Sequence, residues 1–136
     1  MKKYKFLLVA ADFYPEITQN LLKGAQQCII KNGHKFDVTF TKGSLEIPTK
    51  ISMKLNKHNY DAAVAIGCII KGKTDHYDLI ANAITRTLLE LSIQKKLPIS
   101  NSVLTCKNIR QAKERSSKKL NRAKEAVEAA IAVLQD

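Results

Sequence analysis

Nine consecutive residues, Ala62 to Ile70, carry no charged, hydroxyl or amide side chain. The run has strand length, polar residues Asp61 and Lys71 bound it, and its β-branched members favour extended backbone. A strand that is apolar along its whole length has no face left for water. It belongs inside a parallel sheet covered by helices on both sides.

The rest of the chain supplies such a sheet. Lys5 to Ala11 is a second apolar run, ended by Asp12 and suited to burial on both faces. From Ile17, apolar residues recur at Leu21, Leu22, Ala25, Cys28 and Ile29, a helical stripe that stops at Asn32-Gly33. Phe36, Val38 and Phe40 alternate with polar residues, as in a strand with one wet face or at a sheet edge. Gly43 marks a turn, and Pro48 suits the first turn of a short helix reaching about Asn56. Tyr77, Ile80, Ala81, Ile84, Leu88 and Leu91 trace the longest helix, which ends near Lys95 before Pro98. Ile99 and Val103-Leu104-Thr105 give a fourth, weaker strand, interrupted by Ser100, Asn101 and Ser102. Asn108 caps a short helix, and Ala123, Ala126, Val127, Ala130, Ile131 and Leu134 define a last one. Four strands separated by helices predict an α/β fold: a flavodoxin-like three-layer sandwich, its four-stranded parallel sheet flanked by helices on both faces. No linker or repeat divides the 136 residues, so one domain is expected over 1–136.

Parallel sheets bind ligands at the carboxyl ends of their strands, where loops and helix amino termini converge. That places Ala11 to Tyr14, Thr41 to Glu46, Cys68 to His76 and Thr105 to Asn108 along one edge. Within the third segment two chemistries compete. Gly67 to Thr74 fits the P-loop template of a nucleotide-binding protein, Gly, four variable residues, Gly, Lys, then Thr. The variable positions include Ile69 and Ile70, whose β-branched side chains favour continuing the strand over wrapping phosphates. Gly72-Lys73-Thr74 keeps a simpler meaning: a turn into a helix amino terminus, which suits a phosphate without nucleotide or metal.

The formal charge of +11 raises the question of an anionic partner. Its densest part lies between Lys107 and Lys124, where Arg110, Lys113, Arg115, Lys118, Lys119 and Arg122 surround the single acid Glu114. No aromatic residue is interleaved there, so a stacking platform for single strands is not expected. A solvated helix face is the plainer reading, with a basic nucleic-acid-binding module as the alternative. Cys28, Cys68 and Cys106 are odd in number and far apart, which points to neither a disulfide framework nor a zinc site. With no run long enough to span a bilayer and only about six apolar residues after the basic start, a cytoplasmic location and no membrane partner are expected.

Taken in order, five segments resemble the lumazine synthase family: Ala11-Asp12-Phe13, Gly43-Ser44-Leu45-Glu46-Ile47-Pro48, Gly67 to Asp78, Val103-Leu104-Thr105, and Gln111-Ala112-Lys113-Glu114-Arg115. The resemblance covers nearly the whole chain. It implies a transferase that condenses 5-amino-6-(D-ribitylamino)uracil with 3,4-dihydroxy-2-butanone 4-phosphate, using no cofactor and no metal. By similarity, Phe13 would stack on the pyrimidine, Ser44, Leu45 and Glu46 would hold the ribityl chain, and Cys68, Ile69 and Ile70 would align the ring, with Asn101 also touching this substrate. Lys73, Thr74 and Arg115 would bind the butanone phosphate. His76 would move protons, imidazole being the side chain that ordinarily changes charge near neutral pH. His34 and His58, in polar turn-like contexts, read as surface residues.

The resemblance further implies a homo-oligomer, a ring pentamer or its multiple, with each active site shared between neighbours. Asn101 and Arg115 are then expected from the chain adjacent to the one supplying Phe13 and His76. Association with riboflavin synthase is left open, and no nucleic acid is implied. The chain departs from the family pattern in places. Asn101 stands where Phe is common, Ser102 where Gly is, Asp12 where Arg is, and Lys73 at a position often Glu or Ala. Ser116 to Ala123 replaces a glycine-rich segment and is one residue shorter, so either Lys118 or Lys119 takes the place of the family lysine.

Overall fold

Alternate side chains of the central strands feed two separate cores. In the computed structural model, which describes residues 2–73 and 75–135, the order is β1 (Lys5–Ala11), α1 (Pro15–Lys31), β2 (Lys35–Thr41), a 3-10 turn (Ser44–Glu46), α2 (Ile47–Lys57), β3 (Ala62–Ile70), α3 (Tyr77–Lys95), β4 (Ile99–Cys106), α4 (Ile109–Arg115) and α5 (Arg122–Leu134). The sheet is parallel, in the order β2-β1-β3-β4. Phe6, Leu8 and Ala10 of β1 join Val64, Ile66 and Ile70 of β3 beneath α1 and α5. Leu7, Val9, Ala65 and Ile69 face the other way, under Ile47 and Ile51 of α2 and Ile84, Leu88 and Leu91 of α3. This is the flavodoxin-like three-layer arrangement, and the period of two along each strand builds it.

The two inner strands are buried along nearly their whole length. β2 alternates exposed and half-buried positions from Lys35 to Val38, as an edge strand with one wet face should, but Thr39 is half-buried and Phe40, on the expected covered face, is exposed. β4 is the other edge, and it runs unbroken through Ser100, Asn101 and Ser102. The polar residues do not interrupt it because register is set by backbone pairing to β3, with Asn101 opposite Ala65.

One histidine differs from its sequence reading. His34 is only 6% exposed. Its Nδ1 accepts the Tyr4 backbone N–H at 3.0 Å, and its ring lies 4.9 Å from that of Tyr4. Its sequence neighbours are polar, but the chain reverses after α1 and slides the imidazole under the start of β1. His58 is exposed, as expected.

α3 is the least one-sided helix. Beside its buried stripe it leaves Leu79, Leu89 and Ile93 exposed, Ile93 by 77%. Among the described residues no helix is long and apolar enough to cross a membrane.

Candidate active site

The carboxyl ends of β1, β2 and β3 open onto a cavity of about 270 Å³ lined by Phe13, Gly43, Ser44, Leu45, Glu46, Cys68, Ile69, Lys73 and Ile80. Phe13 follows β1 directly and is 66% exposed, its ring edge-on to Tyr14 with centroids 5.1 Å apart. An aromatic face that open is available to a flat ligand. After β2 the chain closes tightly. The Thr41 hydroxyl donates to the Gly43 carbonyl at 2.8 Å, and the Glu46 carboxylate accepts the Gly43 N–H at 2.9 Å. These bonds fix Ser44–Glu46 as a short rim beside the strand ends.

Gly67 lets that rim approach the sheet. A Cβ there would stand 2.8 Å from Ser44 Oγ and 3.4 Å from Ala11 Cβ. This also decides between the chemistries of the segment, for Gly67, Cys68, Ile69 and Ile70 are extended residues of β3 and not a loop wrapped around phosphates. The chain that follows is anchored at Lys71 and Lys73. Lys71 N–H donates to the Cys106 carbonyl at 2.8 Å, Lys73 N–H donates to the Ile70 carbonyl at 3.1 Å, and Gly72 takes φ 86°. A left-handed φ of that kind is easy for glycine and strained for other residues.

His76 ends this turn as the residue before α3, exposed, at φ 61° and ψ 35°. Such a conformation in a non-glycine residue stores backbone strain, a feature concentrated at functional sites. Its carbonyl accepts the first-turn N–H of Ile80 at 2.9 Å, so the histidine is anchored by its backbone.

The structure therefore brings together Phe13, Ser44, Leu45, Glu46, Cys68, Ile69 and Lys73. Ile70 is buried in the core beneath α1 and α5. Asn101 lies exposed on the outer strand β4, its Nδ2 donating to Thr85 Oγ1 at 3.3 Å and its Oδ1 accepting Val103 N–H at 2.9 Å. Arg115 ends α4, beyond the carboxyl end of β4. His76, Asn101 and Arg115 do not line the cavity, and Thr74 is outside the described residues.

Comparison with known proteins decides what this edge belongs to. A family profile described as 6,7-dimethyl-8-ribityllumazine synthase matches residues 3–136. The chain belongs to that family. Among its relatives, the 6,7-dimethyl-8-ribityllumazine synthase of Bartonella tribocorum is 40% identical over 135 residues, covering 98% of this chain and 89% of that one. The protein of the same name from Methylobacterium radiotolerans is 38% identical, covering 96% and 80%. That from Agrobacterium fabrum is also 38% identical, covering 82% and 79%.

Three features of this lumazine synthase family member escape its sequence. Ile80 lines the cavity from the first turn of α3, where helical spacing marks it only as a core residue. Asn121, within the atypical segment after Arg115, is buried; its Oδ1 accepts Lys124 N–H at 3.0 Å and caps α5, while its Nδ2 donates to the Asn20 and Ser116 carbonyls at 2.8 and 3.3 Å. The Cys106 thiol of β4 lies beside the Cys68 thiol of β3, and that neighbour, aided by the nearby Arg115 and Arg122 cations, lowers the Cys106 thiol to about 7 despite its burial. The Cys68 thiol is pushed upward by the same neighbour and by burial.

The basic run lies elsewhere. Lys118 and Lys124, with Lys23 and Lys31, line a larger cleft of about 530 Å³ between α1, α5 and the turn before α5. None of the residues gathered at the strand ends reaches it. Arg110, Lys113, Lys118, Lys119, Arg122 and Lys124 are all exposed, the solvated face that the sequence suggests. Among the described residues no cluster of three metal-ligating side chains occurs.

Proposed function

We propose that the chain condenses 5-amino-6-(D-ribitylamino)uracil with 3,4-dihydroxy-2-butanone 4-phosphate, giving 6,7-dimethyl-8-ribityllumazine, phosphate and water. The observation that carries this is the convergence of Phe13, Ser44, Leu45, Glu46, Cys68, Ile69 and Lys73 on one cavity at the sheet's carboxyl edge in a member of this family. Phe13 offers its open ring to the pyrimidine, whose polar edge meets the backbone at the end of β3. The ribityl hydroxyls meet the rim of Ser44, Leu45 and Glu46. Lys73, in the turn after β3, and Thr74, next to it in sequence, receive the phosphate, with Arg115 as a planar second clamp.

The chemistry is a series of proton movements. The free amine attacks the ketone and water leaves to form the imine; phosphate is then eliminated. The resulting enol tautomerises to a carbonyl, and the ribityl-bearing nitrogen attacks that carbonyl and closes the ring with loss of a second water. His76, beside the phosphate turn, gives and takes those protons, a contribution of about 10²–10⁴ in rate for a well-placed general acid or base. No step calls for a metal or redox cofactor.

The working unit is a homo-oligomer, a pentamer or a multiple of it. Three observations support this: Asn101 and Arg115 lie away from the cavity of their own chain, β4 is an open sheet edge, and α3 exposes Leu79, Leu89 and Ile93. An apolar helix side of that kind is a surface for a second subunit. Three free thiols fit a reducing cytoplasm. Association with riboflavin synthase, which would consume the product, belongs to the same reading and is checked by co-elution of the two proteins.

The test is incubation of purified protein with both precursors in metal-free buffer while lumazine fluorescence is followed, beside a native mass. Product above the uncatalysed rate, from a species of five chains or a multiple, is expected. No excess product would overturn the proposed reaction, and an active monomer would overturn the shared site.

A further inference from the structure

Among the described residues, Arg115 is tethered on one side only. Its Nη1 donates to the Thr105 carbonyl at 3.1 Å and to Cys106 Sγ at 3.8 Å. A guanidinium carries two hydrogens on Nη1, and these two acceptors use both of them. What remains is the edge formed by Nε and Nη2, the fork that matches two oxygens of a phosphate. Thr105 and Cys106 are the last two residues of β4. Cys106 is fully buried, so its sulfur is fixed by the sheet while the arginine reaches back to it from α4.

We propose that Cys106 is a positioning residue for Arg115: with the Thr105 carbonyl, its sulfur pins Nη1 and turns the free Nε–Nη2 edge toward the substrate phosphate. This rests on the reading of Arg115 as a phosphate clamp. The groups that face Cys106 are the Cys68 thiol from β3, Arg115 from α4 and Arg122 at the start of α5. The neighbouring thiol and two cations favour the thiolate, and Cys106 titrates near neutrality for that reason. The thiolate holds Nη1 but also neutralises the guanidinium charge that draws the phosphate. Ionisation of Cys106 thus weakens phosphate binding.

The experiment compares Cys106→Ala, Cys106→Ser, Arg115→Ala and wild type in steady-state kinetics with each substrate varied in turn. Cys106→Ala should raise KM for the butanone phosphate by roughly three- to tenfold, the range for losing one ordinary hydrogen bond, as suits a weak sulfur acceptor. Its kcat and its KM for the pyrimidine should stay within about twofold. Cys106→Ser, whose hydroxyl accepts the same N–H but does not ionise near neutrality, should restore the phosphate KM. The ratio of wild-type to Cys106→Ser phosphate KM should also rise as pH passes from 6 to 8 around the thiol's titration at about 7, and the substrate's own phosphate titration cancels in that ratio.

If Cys106→Ala leaves the phosphate KM unchanged while Arg115→Ala raises it, the positioning role is wrong and the clamp stands. If Arg115→Ala itself leaves that KM unchanged, the clamp is wrong and the positioning role falls with it. Equal loss in both substrates with no rescue by Ser would mark Cys106 as structural only. Should Cys106→Ala not fold, Cys106→Val, which fills the site without an acceptor, gives the same readout.

Discussion

Ser44 Oγ occupies the space that a side chain at Gly67 would need, 2.8 Å from where that Cβ would stand. The rim proposed to meet the ribityl chain is thereby registered against the middle of the sheet. Gly67→Ala should be relieved by rotation of the Ser44 hydroxyl, at a cost of about 1 kcal/mol, the low end for overpacking. The displaced hydroxyl should raise KM for the ribitylaminouracil severalfold. Adding Ser44→Ala removes the clash, so the double variant should regain stability without regaining affinity, as denaturant unfolding beside kinetics would show.

Phe13 is exposed and contributes little to the core, so its loss should be felt by the ligand alone. Phe13→Ala is expected to leave stability within ~0.5 kcal/mol, as for other surface changes. The pyrimidine KM should rise by roughly two- to tenfold, the equivalent of one aromatic stacking contact, and Phe13→Tyr should retain most of the affinity. A drop in melting temperature without change in KM would mean the ring serves the fold instead.

His76 combines a strained backbone with its proposed proton chemistry, and a suitable substitution separates the two. Asparagine tolerates the left-handed conformation better than alanine does. His76→Asn should therefore fold like the wild type while kcat falls by about 10²-fold or more, with both KM values little changed. Wild-type turnover in His76→Asn would remove the histidine from the mechanism.

How much of this was legible differs by residue. β1 and β3 announce themselves, because a strand buried on both faces has nowhere to hide a polar side chain. The period of α3 likewise gave its buried stripe, although the exposed Leu89 and Ile93 have meaning only once the sheet shows which side is covered. Phe13, Ser44–Glu46 and the turn around Lys73 were placed on one edge by the rule for parallel sheets, whereas their chemical roles came through the family motif. His34, Asn121 and the Cys106–Arg115 contact were invisible for a common reason. Each depends on a partner distant in sequence or brought near by a chain reversal, and neither periodicity nor local propensity records such pairs. The P-loop pattern misled in the opposite way: its spacing is present, but backbone pairing holds Gly67 to Ile70 extended.

Asn121 joins three elements through one carboxamide. Removing it uncaps α5 and leaves the Asn20 and Ser116 carbonyls without that donor. Asn121→Ala should cost about 2–3 kcal/mol, combining a lost cap of ~1 kcal/mol with buried hydrogen bonds of similar size. Asn121→Asp keeps the capping acceptor, but it sets a buried carboxylate oxygen against the Asn20 and Ser116 carbonyls, so it should cost at least as much despite the favourable charge at the amino end of α5. Denaturant midpoints at fixed protein concentration measure both, because the proposed oligomer would couple stability to concentration.

The proposed sharing of the active site between neighbours makes a prediction that no single variant can. Phe13→Ala and Arg115→Ala should each be impaired alone, the first for the pyrimidine and the second for the phosphate. In a ring assembled from equal amounts of both, a complete site forms wherever an intact Phe13 on one chain meets an intact Arg115 on the next. Random assembly places that arrangement at about a quarter of the interfaces of a cyclic oligomer. Assayed at substrate concentrations well below both KM values, co-expressed or co-refolded mixtures should therefore exceed the mean of the two variants by up to about a quarter of wild-type activity. Ile93→Lys, which puts a charge on the exposed apolar side of α3, should abolish that recovery by preventing assembly while leaving the fold of each chain intact. If both residues served the cavity of their own chain, every site in the mixture would still carry one defect, and activity would not exceed that mean.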